Sequence, residues 1–392
     1  MRLEENAGPK LMFVLTAAFG ELFNAMYMVM GCGFRTAFAM REPWYSLNCG
    51  GLPGNSYRFE DLAGLLAAID QENPDLVCLF SGYLYSADRI VDFEELDRLV
   101  KYLNGRGTKT VTSDPFLGLI SRLPPLDLES PLGQIVGLPI RLIGEATFGS
   151  RFTYFVRTRF ILKDLPHVYI VDPDERGIKA LPFYNPNIRS YVSDSAATQQ
   201  ATAASVPPQP YWLFVLGASD YFPQIKRDGA DYFHALLARK LLDAMQEGRR
   251  ATLIAPAPCI AALAKDPLLK ECSFVDNCGY DQFMAILLGA EYAFYWNVFS
   301  ASVLTRLLNR LPTFFFAVGH IADENQQIFE KGMSRYYQGA QLTYLHPADR
   351  LTDALLSGFA KAQEAQLFEP FFNGVQHLPT PQTLVRNLLA EQ

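Results

Sequence analysis

Short apolar runs alternate along this chain with amphipathic stretches, and the alternation predicts its elements. Leu11 to Ala17 is an apolar run of the kind required by a parallel strand buried on both faces. Phe19-Gly20-Glu21 is expected to turn the chain. Leu22, Ala25, Met26, Val29 and Met30 then recur at helical spacing and form one stripe for packing against a sheet. Phe34 to Met40 predicts a second strand, Phe59 to Gln71 a helix, and Asp75 to Phe80 a third strand ending at Ser81-Gly82-Tyr83. Phe93 to Leu103 predicts a helix, and Lys109 to Thr112 a strand leading into Ser113-Asp114-Pro115-Phe116. Strands that alternate with helices imply a parallel, doubly wound sheet.

The same grammar restarts in the second half. Trp212 to Leu216 predicts a strand, Gly217-Ala218-Ser219 a turn, and Ala230 to Met245 a helix. Strands follow at Ala251 to Ala255, Ser273 to Val275, Tyr292 to Trp296 and Thr313 to Val318. Between them lie helices at Ile260 to Ala264, Asp281 to Leu288 and Ala301 to Asn309, with Asp281 the expected N-cap. Ala348 to Ala365 and Pro381 to Ala390 predict closing helices. Between the halves, Ser193 to Pro210 has Val206 as its one large apolar residue and three prolines near its end, which predicts a linker. The expected organisation is an N-terminal Rossmann-like domain over 1–192, a linker over 193–210 and a C-terminal Rossmann-like domain over 211–392, whose last helices pack back on the first. A length of 392 residues agrees, at roughly 150 residues per domain.

Charge and composition narrow the partners. Thirty-four Lys and Arg against 41 Asp and Glu, with no basic block, leave nothing that would neutralise a nucleic-acid backbone, so no nucleic-acid partner is expected. The apolar runs Leu11 to Phe19 and Leu22 to Phe34 stop at Glu21 and Arg35, well short of the roughly 20 residues of a spanning helix, so no transmembrane segment is expected. Arg2, Glu4 and Glu5 make a poor leader, which favours a buried first strand over a signal peptide. Cys32, Cys49, Cys78, Cys259, Cys272 and Cys278 show no paired spacing and suit a reducing cytoplasm.

In tandem α/β domains, ligands bind beyond the carboxyl ends of the strands, and a substrate cleft between the domains is expected. The strongest candidate is the segment from Tyr292 through Asn297 to Ser300, Ala301 and Ser302. There a strand, a short turn and a helix start offer backbone N–H groups, a partial positive charge and two hydroxyls to a diphosphate. The plainer alternative is that Ser300 only caps that helix. Phe294, Tyr295, Trp296 and Phe299 are expected to pack the sheet rather than stack a base, and Lys226 and Arg227 are candidates for neutralising phosphate charge.

Gly279 through Phe283, Ala290-Glu291, Asn297 to Ser302, Leu311-Pro312-Thr313 through Phe316 and Gly319-His320 together resemble the donor domain of GT-B glycosyltransferases, enzymes with two Rossmann-like domains. Gly20-Glu21 and Lys109 through Gly118 are similar to acceptor-domain turns of that family. The resemblance implies a metal-independent transfer of sugar from a nucleoside diphosphate sugar, a co-substrate rather than a cofactor, to an acceptor hydroxyl whose identity the sequence does not name. It places the diphosphate at Gly217, Ala218, Ser219, Asn297, Ser300, Ala301 and Ser302, with His320 on the sugar or a phosphate oxygen. Many such enzymes carry a histidine after the first strand as general base. Here the first histidine is His167, and Glu21 or Asp114 is the candidate proton acceptor, with Asp323, Glu324 or neither near the donor ribose. The plainer alternatives are that Glu21 only favours a helix start, that Asp114 before Pro115 closes a turn and that His320 is structural.

Two alternatives stay open, a sugar-nucleotide epimerase and an inactive homologue that binds or activates a partner. No GxGxxG, GxxxxGK[ST] or GxSxG segment supports a dehydrogenase, a P-loop ATPase or an α/β-hydrolase.

Overall fold

The computed structural model describes residues 8–15, 19–86, 90–114, 126–127, 130, 152–171, 179–188, 210–324 and 326–391. Residues 193–209 of the expected linker and Pro115-Phe116 lie outside the described residues. Two compact units emerge: unit 1 comprises Met1–Asn187, Gln327–Tyr336 and Val375–Gln392, and unit 2 comprises Ile188–Gln326 and Tyr337–Gly374.

Unit 1 runs β1 (Lys10–Val14), α1 (Phe19–Val29), β2 (Arg35–Met40), α2 (Trp44–Asn48), β3 (Asn55–Arg58), α3 (Leu62–Glu72), β4 (Leu76–Leu79), α4 (Phe93–Gly105), β5 (Lys109–Thr112), α5 (Phe152–Ile161), β6 (His167–Tyr169) and β7 (Ala180–Pro182). Its strands order as β3-β2-β1-β4-β5-β6-β7, and every pairing is parallel. Leu11, Met12, Phe13 and Val14 are fully buried, as a central strand covered on both faces demands. Local signals define the helix ends. Asp61 accepts the Gly64 N–H at the start of α3, Asn73 ends it in the left-handed region, and Asp92 and Glu95 form a capping box on α4. The segment between the expected strand Phe34 to Met40 and the expected helix Phe59 to Gln71 holds α2 and β3, which the hydrophobic pattern did not predict. These elements are too short to show a period of their own.

Unit 2 runs β8 (Tyr211–Val215), α6 (Ala218–Asp228), α7 (Ala230–Gln246), β9 (Arg250–Ile254), α8 (Ala257–Leu263), β10 (Ser273–Val275), α9 (Tyr280–Gly289), β11 (Tyr292–Tyr295), α10 (Ala301–Leu308), β12 (Thr313–Phe315) and α11 (His320–Glu324). Next come α12 (Gln326–Tyr337), α13 (Asp353–Gln363), a π-helical turn at Glu364–Phe368 and α14 (Glu369–Val375); α15 (Pro381–Ala390) belongs to unit 1 with most of α12. The sheet order is β10-β9-β8-β11-β12, again all parallel. Both sheets therefore have the doubly wound order in which the chain reverses direction beside its first strand.

Aromatic layers fill the second core. Phe294 stacks on Phe214 at 4.7 Å and on Phe316 at 5.7 Å, and Trp296 lies 4.9 Å from Phe316, so these rings pack the sheet as expected. Arg306 on α10 is fully buried and donates to the carbonyls of Leu287, Ala290 and Pro312, tying α9 to the entry of β12. Burial pushes its pKa down to about 10. Gln363 serves the edge strand as another strand would: its Oε1 accepts the Thr313 N–H at 3.1 Å and its Nε2 donates to the Thr313 carbonyl at 2.7 Å.

Several boundaries differ from the sequence expectation, among them the starts of α3 at Leu62 and of α8 at Ala257. Gly279, not Asp281, is the N-cap of α9, which places Asp281 in the first turn, where its charge meets the helix dipole. Strand β12 ends at Phe315, short of the expected Val318, and Gly319 beyond it takes a positive φ of 96°. Helix α13 starts at Asp353, capped by Thr352. Among the described residues, no helix is long and apolar enough to cross a membrane.

Candidate functional site

In unit 2 the reversal of strand order falls between β8 and β11, and the carboxyl ends of these strands are where ligands bind in open α/β sheets. The structure gathers three segments there: Gly217 to Asp220 after β8, Asn297 to Ser302 after β11, and Gly319-His320 after β12. Gly217 is the N-cap of α6. Ala218 and Ser219, expected in a turn, begin the helix itself, because Gly217 supplies the extended backbone that admits it. The N–H groups of Asp220 and Tyr221 already donate to the Gly217 carbonyl, at 3.1 and 2.9 Å, which leaves those of Ala218 and Ser219 as the helix-start donors without intrahelical partners.

Ser300 occupies the N-cap position of α10, yet its side chain makes no capping bond and lies 2.9 Å from the Ser302 hydroxyl. A hydroxyl pair and a helix start without a side-chain cap thus stand together, with Ala301 between them. The turn before them is held firmly. Val298 N–H reaches the Val318 carbonyl at 3.4 Å, Tyr337 Oη donates to the Val298 carbonyl, and Phe299 N–H donates to Asn297 Oδ1 at 2.9 Å.

Asp220, which sequence reasoning passed over, joins the three segments. Its carboxylate is 5% exposed and accepts from Asn297 Nδ2 at 3.2 Å, from the His320 N–H at 3.2 Å and from His320 Nδ1 at 3.0 Å. The only local signal was an acidic residue in the first turn of a helix, which usually means no more than dipole compensation. Lys226 and Arg227 do not join the site. They lie in the last turn of α6, roughly 12 Å along its axis from Ala218, and Arg227 is engaged by Asp228 at 2.9 Å and Gln224 at 2.7 Å.

In unit 1 the corresponding reversal falls between β1 and β4. Glu21, in the first turn of α1, is 5% exposed and accepts the hydroxyl of Ser81, the residue two beyond β4. Ser81 adopts a left-handed backbone with φ of 48°, and its N–H donates to Ser113 Oγ at 2.8 Å. The ends of β1, β4 and β5 are thereby linked through Glu21, Ser81 and Ser113. Asp114 follows Ser113 and is also buried. The Glu21 charge adds to burial in holding the Tyr85 phenol well above its ordinary pKa. His167 has a structural place: it is fully buried with Nε2 2.7 Å from Tyr83 Oη, and burial, helped by the Arg159 charge, pushes its pKa down to about 4.

No protein-family model and no curated protein matches the sequence. Solved structures do match in shape. Phytolacca americana UGT2, solved with UDP-2-fluoro-glucose and pterostilbene, shares 11% identity over 99% of this chain and 100% of that one, with a TM-score of 0.52. The glycosyltransferase VinC, solved with dTDP, shares 12% identity over 97% of this chain and 98% of its own, with a TM-score of 0.47. A UDP-GlcNAc 2-epimerase of Methanocaldococcus jannaschii shares 11% identity over 97% and 99%, with a TM-score of 0.47. The first of these likenesses is one of fold: two Rossmann-like domains in one chain, the GT-B fold.

Proposed function

We propose that this protein is a glycosyltransferase that holds a nucleoside diphosphate sugar on unit 2 and transfers its sugar to an acceptor hydroxyl without a metal ion. One observation carries the reading. At the strand-order reversal of unit 2, a helix start with no side-chain cap carries the Ser300–Ser302 hydroxyl pair, and the Asn297–Asp220 contact ties the turn before it to the segment that begins Gly217-Ala218-Ser219. Backbone N–H groups and hydroxyls at that place suit a diphosphate, and the helix start supplies the charge compensation that a metal would otherwise give. The shared fold of a plant protein solved with a UDP-sugar analogue supports the same reading.

In this mechanism the acceptor oxygen attacks the anomeric carbon and forms the new C–O bond. The bond from that carbon to the phosphate oxygen breaks, and the nucleoside diphosphate leaves with the electron pair. Glu21 or Asp114 accepts the proton of the acceptor hydroxyl, and His320 hydrogen-bonds the donor. Both carboxylates are buried, and Glu21 accepts the Ser81 hydroxyl. Titrating the full chain with UDP, dTDP and GDP tests the donor site. A bound nucleotide at a hundred times its Kd stabilises the fold by about 2.7 kcal/mol, visible as a rise in melting temperature. No thermal or calorimetric response to any of them would sink the proposal.

A further inference from the structure

Asp220 sits where a ligand's anion is expected, although it is itself an anion, and the direction of its hydrogen bonds gives it a role. An ionised carboxylate only accepts. Asn297 must therefore present its amide nitrogen to Asp220, and the distance of 3.2 Å agrees. This orientation leaves Asn297 Oδ1 pointing the other way, where it accepts the Phe299 N–H at 2.9 Å. Phe299 immediately precedes Ser300, the N-cap position of α10. By the same logic His320 Nδ1, 3.0 Å from Asp220, carries the ring proton. There is little slack in the chain of contacts, because a Cβ added at Gly319 would lie 2.6 Å from Asn297 Oδ1.

We infer that Asp220 is a positioning residue that acts through Asn297 and His320, fixing which polar atoms the turn into α10 and the imidazole present to a bound nucleotide. The inference rests on reading unit 2 as the nucleotide site and adds a residue and a direction to it. Donation runs one way along the contacts, from the Phe299 N–H to the Asn297 amide and on to the Asp220 carboxylate. Reversing one member should break the chain, and reversing two should restore it.

The experiment is UDP binding by calorimetry on the full chain, with near-UV circular dichroism confirming that each variant is folded. Asp220→Asn sets one amide nitrogen against another and should weaken UDP by about tenfold, the value of one charge-assisted hydrogen bond. Asn297→Asp sets two carboxylates 3.2 Å apart and should weaken it at least as much. The Asp220→Asn, Asn297→Asp double variant restores donor to acceptor at each contact and should return to within about threefold of the parent, a non-additivity that only coupled residues show. A second readout does not depend on binding. The ring-nitrogen NMR shifts of His320 should report the Nδ1–H tautomer in the parent chain and lose that bias in Asp220→Ala.

Unchanged or tighter UDP binding by Asp220→Asn would overturn the inference and show instead that the carboxylate opposes the ligand. A double variant no better than the single ones would overturn it as well. UDP binding by the parent chain that is lost or kept in the variants bears on Asp220 alone, whereas no binding by the parent chain would remove the nucleotide reading and this role together.

Discussion

Replacing Gly319 with alanine tests how rigidly the site in unit 2 is held. Gly319 has a φ of 96°, where an L side chain is strained, at a cost of about 1–3 kcal/mol. The added Cβ would also lie 2.6 Å from Asn297 Oδ1 and 2.7 Å from its Cγ, so Asn297 must move. Asn297 is held by Asp220 at 3.2 Å and by the Phe299 N–H at 2.9 Å. Moving it forfeits both bonds, at about 1 kcal/mol each. The expected loss is about 4 kcal/mol, which for a unit of this size lowers the melting temperature by roughly 10 °C. Gly248→Ala is the matched control: its φ of 72° imposes similar strain, but nothing lies within 4 Å of the new Cβ. Trp212 and Trp296, both buried in unit 2, give the fluorescence signal for urea unfolding. If Gly319→Ala costs no more than Gly248→Ala, Asn297 yields freely and the claim of a held turn is wrong.

Three further outcomes are expected. Burial and the Arg159 charge lower the His167 pKa from 6.5 to about 4, so the unfolded chain takes up this proton first. The contribution is complete above about pH 6.5 and is lost as pH falls toward 4; urea midpoints across that window should fall steeply in the parent chain and less so in His167→Gln. Arg306→Met leaves the carbonyls of Leu287, Ala290 and Pro312 buried without their donor and should cost roughly 2–4 kcal/mol, with Arg306→Lys recovering only part because an ammonium lacks the planar fork. Glu21→Gln still accepts the Ser81 hydroxyl, so the melting temperature should hold while transfer falls by about a hundredfold or more. Unchanged turnover in both Glu21→Gln and Asp114→Asn would remove the carboxylates from the mechanism.

The sequence by itself determined the fold class, the central strands of both sheets and several of the helices that cover them, while α2, β3, α5, β6, β7, α6 and α12 escaped it. A strand buried on both faces must be apolar throughout, and a helix lying on a sheet must repeat its apolar residues at helical spacing, so Leu11 to Val14 and Leu22 to Met30 declare themselves from neighbours alone. It also located the ends of β8 and β11 to within one residue, since each apolar run stops at a small or polar residue. The partnerships among those ends were not legible. Asp220 meets Asn297 across 77 positions and His320 across 100, and Glu21 meets Ser81 across 60. Those distances in sequence collapse only when β11 pairs with β8 and β4 with β1, each in its own register. A polar residue at a strand end has the same local pattern whether it faces water, caps a helix or holds another side chain. Burial tells these roles apart, and burial is a property of the packed sheet order, which places a carboxylate one residue beyond the small-residue segment where the sequence alone offered only a turn.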